Sequence, residues 1–126
     1  MKAMGSDATV ALGISGENLA CDALARQGYA ILARRYRTRV GEIDIVAMDG
    51  PTLVFVEVKT RTSEEFGVPA EAVTWRKRRR IVTMARWYLT EHRRHGCLCR
   101  FDVVTVLCRP GLLPAVEVVK DALMAG

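Results

Sequence analysis

The stretch that most constrains this chain is Leu53-Val54-Phe55-Val56-Glu57-Val58-Lys59, a β-branched and aromatic run that closes on two charges. Such a run reads as a buried central strand. Glu57 and Lys59 interrupt it two residues apart, so they share one face of the sheet. Upstream, Asp44 similarly interrupts Ile43, Ile45 and Val46. Isolated charges cost on the order of several kcal/mol to bury, so these groups need partners.

Asp49-Gly50-Pro51-Thr52 is a turn between the two runs. If it forms a four-residue hairpin loop with Met48 opposite Leu53, Asp44 faces Glu57 and Glu42 faces Lys59. Opposed residues point to one face with Cβ atoms roughly 5 Å apart. Two carboxylates so placed repel, and a divalent cation between them removes the repulsion. Oxygen ligands suit Mg2+ or Mn2+, which makes Asp44 and Glu57 the expected metal ligands. Lys59 could orient a water or steady a phosphate, completing the equipment for phosphodiester hydrolysis. The alternative is a structural salt-bridge cluster of Lys59 with Glu42 and Glu57.

The remaining pattern supplies the scaffold. Ser15 or Gly16 can start a helix that Gly28 ends, with Leu19, Ala20, Ala23 and Leu24 at helical spacing. Glu17 lies on the partly apolar side of this helix, either as a further site acid or as a first-turn acid favoured by the helix dipole. Strands are expected over 29–37, 42–48 and 53–59. A loop over 61–69, containing Phe66-Gly67, then covers the site or simply connects. Thr74 can cap a helix running to about Arg94, with Ile81, Met84, Ala85 and Tyr88 as its apolar stripe. Strands over 101–107 and 115–119 follow, separated by Pro110-Gly111. The order α-β-β-β-α-β-β predicts an α/β sandwich with a mixed central sheet. A single domain over 1–126 is expected, its first dozen residues flexible.

Charge points to a partner. The net charge is +5 and the densest run is Arg76-Lys77-Arg78-Arg79-Arg80 on the second helix. Lys77 falls on the apolar stripe and could reach the acids from behind. Arg76, Arg79 and Arg80 point outward, where they could meet nucleic-acid phosphates or form a solvated face. No uncharged apolar run approaches the ~18 residues of a membrane span, and no signal peptide is evident at the start. A cytoplasmic protein without a membrane partner is therefore expected. Cys21, Cys97, Cys99 and Cys108 then read as reduced thiols. With His92 and His95 they have zinc-type ligands but not zinc-type spacing.

The segments Gly16-Glu17-Asn18-Leu19-Ala20, Gly41-Glu42-Ile43-Asp44-Ile45-Val46-Ala47, Val54-Phe55-Val56-Glu57-Val58-Lys59 and Arg100-Phe101-Asp102-Val103-Val104 resemble the YraN family of bacterial endonuclease-like proteins. The resemblance runs from about Gly13 to Leu123. It implies a restriction-endonuclease-like fold, similar to archaeal Holliday-junction resolvases and other PD-(D/E)xK nucleases. It implies catalytic roles for Asp44, Glu57 and Lys59, with Glu17 as the extra acid of resolvase-like members. Ile43 stands where the superfamily's motif has Pro. The function expected is metal-dependent hydrolysis of DNA, on branched or flapped structures, with a homodimer left open. The alternative is a nucleic-acid-binding module that keeps the fold without catalysis.

Overall fold

The computed structural model describes the backbone over residues 4–62 and 75–122. The elements are α1 (Met4–Arg26), β1 (Ala30–Thr38), β2 (Gly41–Asp49), β3 (Thr52–Arg61), α2 (Trp75–Glu91), β4 (Leu98–Leu107) and β5 (Ala115–Val119). They form a five-stranded sheet in the order β1-β2-β3-β4-β5. β3 and β4 are parallel and the other neighbours antiparallel. This is the α-β-β-β-α-β-β order and mixed sheet predicted from the pattern, consistent with a restriction-endonuclease-like fold.

Both faces of β3 are covered, which is why its apolar run is nearly continuous. Leu53 and Phe55 pack with Ile81, Met84 and Tyr88 of α2. Val54 and Val56 pack with Ala20 and Leu24 of α1. The β2–β3 hairpin has the expected register, Met48 opposite Leu53, with Asp49 opposite Thr52. Gly50 has φ +59° and precedes Pro51. Positive φ followed by proline's fixed φ suits a two-residue type II′ connection.

Helix ends differ from expectation in instructive ways. α1 is helical from Met4, so neither Ser15 nor Gly16 acts as its start. No proline interrupts 4–14, so nothing in that segment breaks a helix. The C-terminal end is as predicted. Tyr29 N–H donates to Leu24 O and Gly28 N–H to Ala25 O, with Gly28 at φ +94°. That is a Schellman cap. α2 closes with the same bonds, Arg94 to Leu89 and Arg93 to Thr90, but its left-handed residue is Arg93, φ +52°. With no glycine to mark it, this end lies before the Arg94 expected from periodicity. Thr74 and the 61–69 loop beyond Thr62 lie outside the described residues.

A second polar network stands at the hairpin end of the sheet. Asp102, fully buried, accepts from Tyr29 Oη at 2.8 Å and from Arg100 Nε at 2.8 Å. Arg100 also reaches Asp49 at 2.8 Å, and the Asp121 amide donates to Asp102 at 3.1 Å. Every charge there is paired, so the network ties α1, the β2–β3 turn, β4 and the end of β5 together.

Candidate active site

At the other end of β2 and β3 the two strands part. Paired rungs run from Asp49↔Thr52 to Ile45↔Val56. The next rung would oppose Asp44 to Glu57. Instead the Asp44 carboxylate inserts: Oδ2 accepts the Val58 N–H at 2.7 Å, a bond the strand backbone would otherwise make. Arg35 of β1 faces this point from the other side, between the rungs Arg34↔Ile45 and Tyr36↔Ile43, with φ +54°. Three strands are thus distorted around one aspartate.

A cleft of about 250 Å³ opens here, lined among others by Glu42, Asp44, Glu57, Lys77, Arg80 and Met84. Burial pushes Asp44 up to about 6. The Val58 amide opposes this shift, and the negative charges of Glu57, Glu17 and Glu42 add to it. Glu57 meets the Lys77 ammonium through Oε1, while Oε2 lies 3.8 Å from Lys59 Nζ. Glu57 Oε2 is buried and accepts no hydrogen bond. Burial lowers the Lys59 pKa, helped by the hydrogen bond with Lys77 and opposed by Glu57.

The structure therefore brings Asp44, Glu57, Lys59 and Lys77 to one place. Lys77 approaches from α2, as its position on the apolar stripe suggests. Glu42 is not opposed to Lys59: it faces Arg37 across β1–β2 and pairs with it at 3.0 Å. The reason is the parting of β2 from β3 beyond Ile45, which ends cross-strand pairing before Glu42. Of the basic run, Arg76, Arg79 and Arg80 are exposed as expected. Together with Val40 and Thr83 they line a concavity that shares Val40 and Arg80 with the cleft.

Glu17 is buried, but its oxygens are turned to arginines: Arg34 at 2.8 Å on Oε1 and Arg35 at 3.3 Å on Oε2. Its position is set by Gly16. A Cβ there would lie 2.1 Å from Thr60 Oγ1, so only glycine lets α1 come this near to β3. Arg34 and Arg35 carry no motif, and the sequence alone does not single them out.

For a divalent cation the donors are of the right chemistry, carboxylate oxygens, and Glu57 Oε2 is an orphaned acceptor of the kind a cation satisfies. Among the described residues no group of three or more His, Cys, Asp or Glu side chains converges on one point. Two carboxylates are therefore what the described residues offer, and further oxygens would complete the shell. The zinc-type residues form no such group either; His92 stacks on Tyr88 with ring centroids 4.0 Å apart. No helix of the described residues is long and apolar enough to cross a membrane.

A model of the family described as uncharacterised protein family UPF0102 matches residues 16–106. This range holds Glu17, Asp44, Glu57, Lys59 and the α2 arginines. A UPF0102 protein of Rhodococcus opacus is 48% identical over 113 residues, spanning 90% of this chain and 96% of the relative. One of Moorella thermoacetica is 50% identical over 108 residues, spanning 85% and 90%. One of Lachnoclostridium phytofermentans is 53% identical over 96 residues, spanning 75% and 81%.

Proposed function

The chain belongs to the uncharacterised protein family UPF0102, and we propose that it hydrolyses DNA phosphodiester bonds with a divalent cation held by Asp44 and Glu57. The observation that carries this is the pairing of two features at the β2–β3 parting. Asp44 is held at a pKa of about 6 by burial, and Glu57 Oε2 is buried without a hydrogen bond. Asp44 placed this way destabilises the cation-free site, and a perturbed group in a cleft is a candidate for a functional role.

Mg2+ or Mn2+, when bound, supplies Lewis-acid polarisation of the phosphate and a more acidic water. Asp44 is fixed for this by the Val58 amide. Glu57 is steered by Lys59 and Lys77. Lys59, on the same face as Glu57, is placed to orient the attacking water and offset charge developing on the phosphate. Arg76, Arg79 and Arg80 beside the cleft would hold backbone phosphates without reading sequence. Branched or flapped DNA is the substrate class the family resemblance favours.

A second reading keeps the nucleic-acid surface without catalysis. It is favoured by the Lys77 ammonium on Glu57 Oε1, which neutralises the acid without a metal. One assay decides between them: cleavage of linear, flapped and four-way DNA with Mg2+ or Mn2+. Catalysis requires cation-dependent products from the wild-type protein and none from Asp44→Ala. Binding without cleavage under every cation condition supports the second reading.

A further inference from the structure

We infer that Arg34 and Arg35, held by the buried Glu17 carboxylate, form a second phosphate-binding arm on the α1 side of the cleft, so that the site grips an internal phosphodiester from both sides. This rests on the nuclease reading above and adds to it the substrate class: a strand that continues in both directions past the reactive phosphate.

The pairing is unlike a simple surface ion pair. The Glu17 side chain is 11% exposed, whereas those of Arg34 and Arg35 are 39% and 45% exposed. One acid therefore anchors two half-exposed cations, leaving an excess positive charge at the surface. Arg34 donates through Nε to Glu17 and through Nη2 to Asn18 Oδ1 at 2.7 Å. Arg35 donates through Nε at 3.3 Å. Arg34 Nη2 also lies 2.8 Å from Glu17 Oε1, so of the five N–H donors of a guanidinium Arg34 keeps those on Nη1 for a phosphate, and Arg35, which gives Glu17 its Nε, keeps those on both terminal nitrogens.

The backbone is bent to achieve this. Consecutive residues of a regular strand point to opposite faces, yet Arg34 and Arg35 reach the same carboxylate. The positive φ of Arg35, 54°, allows it. A non-glycine residue in this region is strained, and such strain persists where the surroundings impose it, often at functional sites. The strained residue is the one facing Asp44 across β1–β2, which places the pair beside the proposed reaction centre rather than elsewhere on β1.

From α2, Arg80 lines the cleft itself and Arg76 and Arg79 stand beyond it, whereas Arg34 and Arg35 lie outside the lining, one strand away on β1. Asp44 thus has a cationic pair on the neighbouring strand β1 and Arg80 of α2 in the cleft that it lines. A strand end needs only one of them; a continuous strand uses both. In this arrangement Glu17 serves as a positioning residue for the two guanidinium groups that hold its oxygens.

The test is anisotropy of labelled duplex DNA across a salt series in EDTA, so that cleavage plays no part. Arg34→Ala/Arg35→Ala should weaken binding about tenfold or more near 0.1 M salt and reduce the salt slope by about two units, one for each phosphate no longer neutralised. Arg34→Lys/Arg35→Lys should keep most of the slope. Because the alanine pair leaves Glu17 buried alone, the same pair is also measured with Glu17→Gln, and should bind as weakly. With Mn2+, the wild-type protein should nick covalently closed circular DNA. Wild-type affinity and slope in both arginine-free variants, or a requirement for a free end, would overturn the inference and leave the nuclease reading standing. A wild-type protein that binds no DNA at low salt would overturn both.

Discussion

Asp44 Oδ2 takes the Val58 amide at 2.7 Å, so a side-chain carboxylate stands where β2 and β3 would otherwise exchange backbone bonds. This substitution opens the sheet at one end, leaves Glu57 without its cross-strand neighbour and creates the cleft. It also makes Asp44 costly to the cation-free fold.

That cost has a pH signature. Asp44 is raised from 3.8 to about 6 by burial. Its contribution to stability is therefore present in full below about pH 4 and is lost as pH rises through about 6. Asp44→Asn keeps an acceptor for Val58 but no charge. It should stabilise the cation-free protein at pH 7 on the order of 1–2 kcal/mol, with no gain at pH 4. Urea melts at the two values check this. A variant less stable than wild type at pH 7 would contradict it.

Gly16→Ala should cost about 1–3 kcal/mol, because the new methyl lies 2.1 Å from Thr60 Oγ1 and a packed helix–strand contact must move. Thr60→Ala in the same chain should recover part of the loss. Additive costs in the double-mutant cycle would show that the two residues do not compete for space.

Asp102→Ala should be the most damaging of these changes, about 3–5 kcal/mol, since it opens a buried space in which Arg100 keeps only Asp49 as a charged partner and Tyr29 loses its acceptor. Tyr29→Phe should cost roughly 1 kcal/mol. Neither group lines the cleft, so DNA binding per folded molecule should be unchanged in Tyr29→Phe. Thermal melts with binding measured below the transition separate the two effects.

Lys59→Ala should leave DNA affinity nearly intact and abolish cleavage, as Lys59 shares a face with Glu57 rather than with the α2 arginines. Replacing Arg76, Arg79 and Arg80 together should do the reverse: weaken binding to all sequences alike and lower the salt slope by roughly one unit for each phosphate left without its arginine. Wild-type cleavage by Lys59→Ala would reduce it to a structural partner of Glu57.

Much of the fold is legible in the chain. The run 53–59, the turn Gly50-Pro51 and the stripe Ile81, Met84, Ala85, Tyr88 each state a local geometry, and the sheet is their sum. The register follows because a slip of one residue would turn Leu53 and Phe55 to the wrong face. What the chain hides is local departure from regularity. Regular pairing continued past Ile45 would set Glu42 against Lys59, whereas the Asp44–Val58 bond ends the ladder first. Arg34 and Arg35 are hidden because only a positive φ, which no arginine advertises, brings both to Glu17. Arg93 ends α2 in the same unannounced way.

The most direct measurement is anomalous diffraction from crystals grown with Mn2+. The prediction is a peak about 2.0–2.2 Å from oxygens of both Asp44 and Glu57, with the Lys77 ammonium displaced from Glu57 Oε1. A site saturated elsewhere, with Lys77 still on Glu57 and no density beside Asp44, would contradict it.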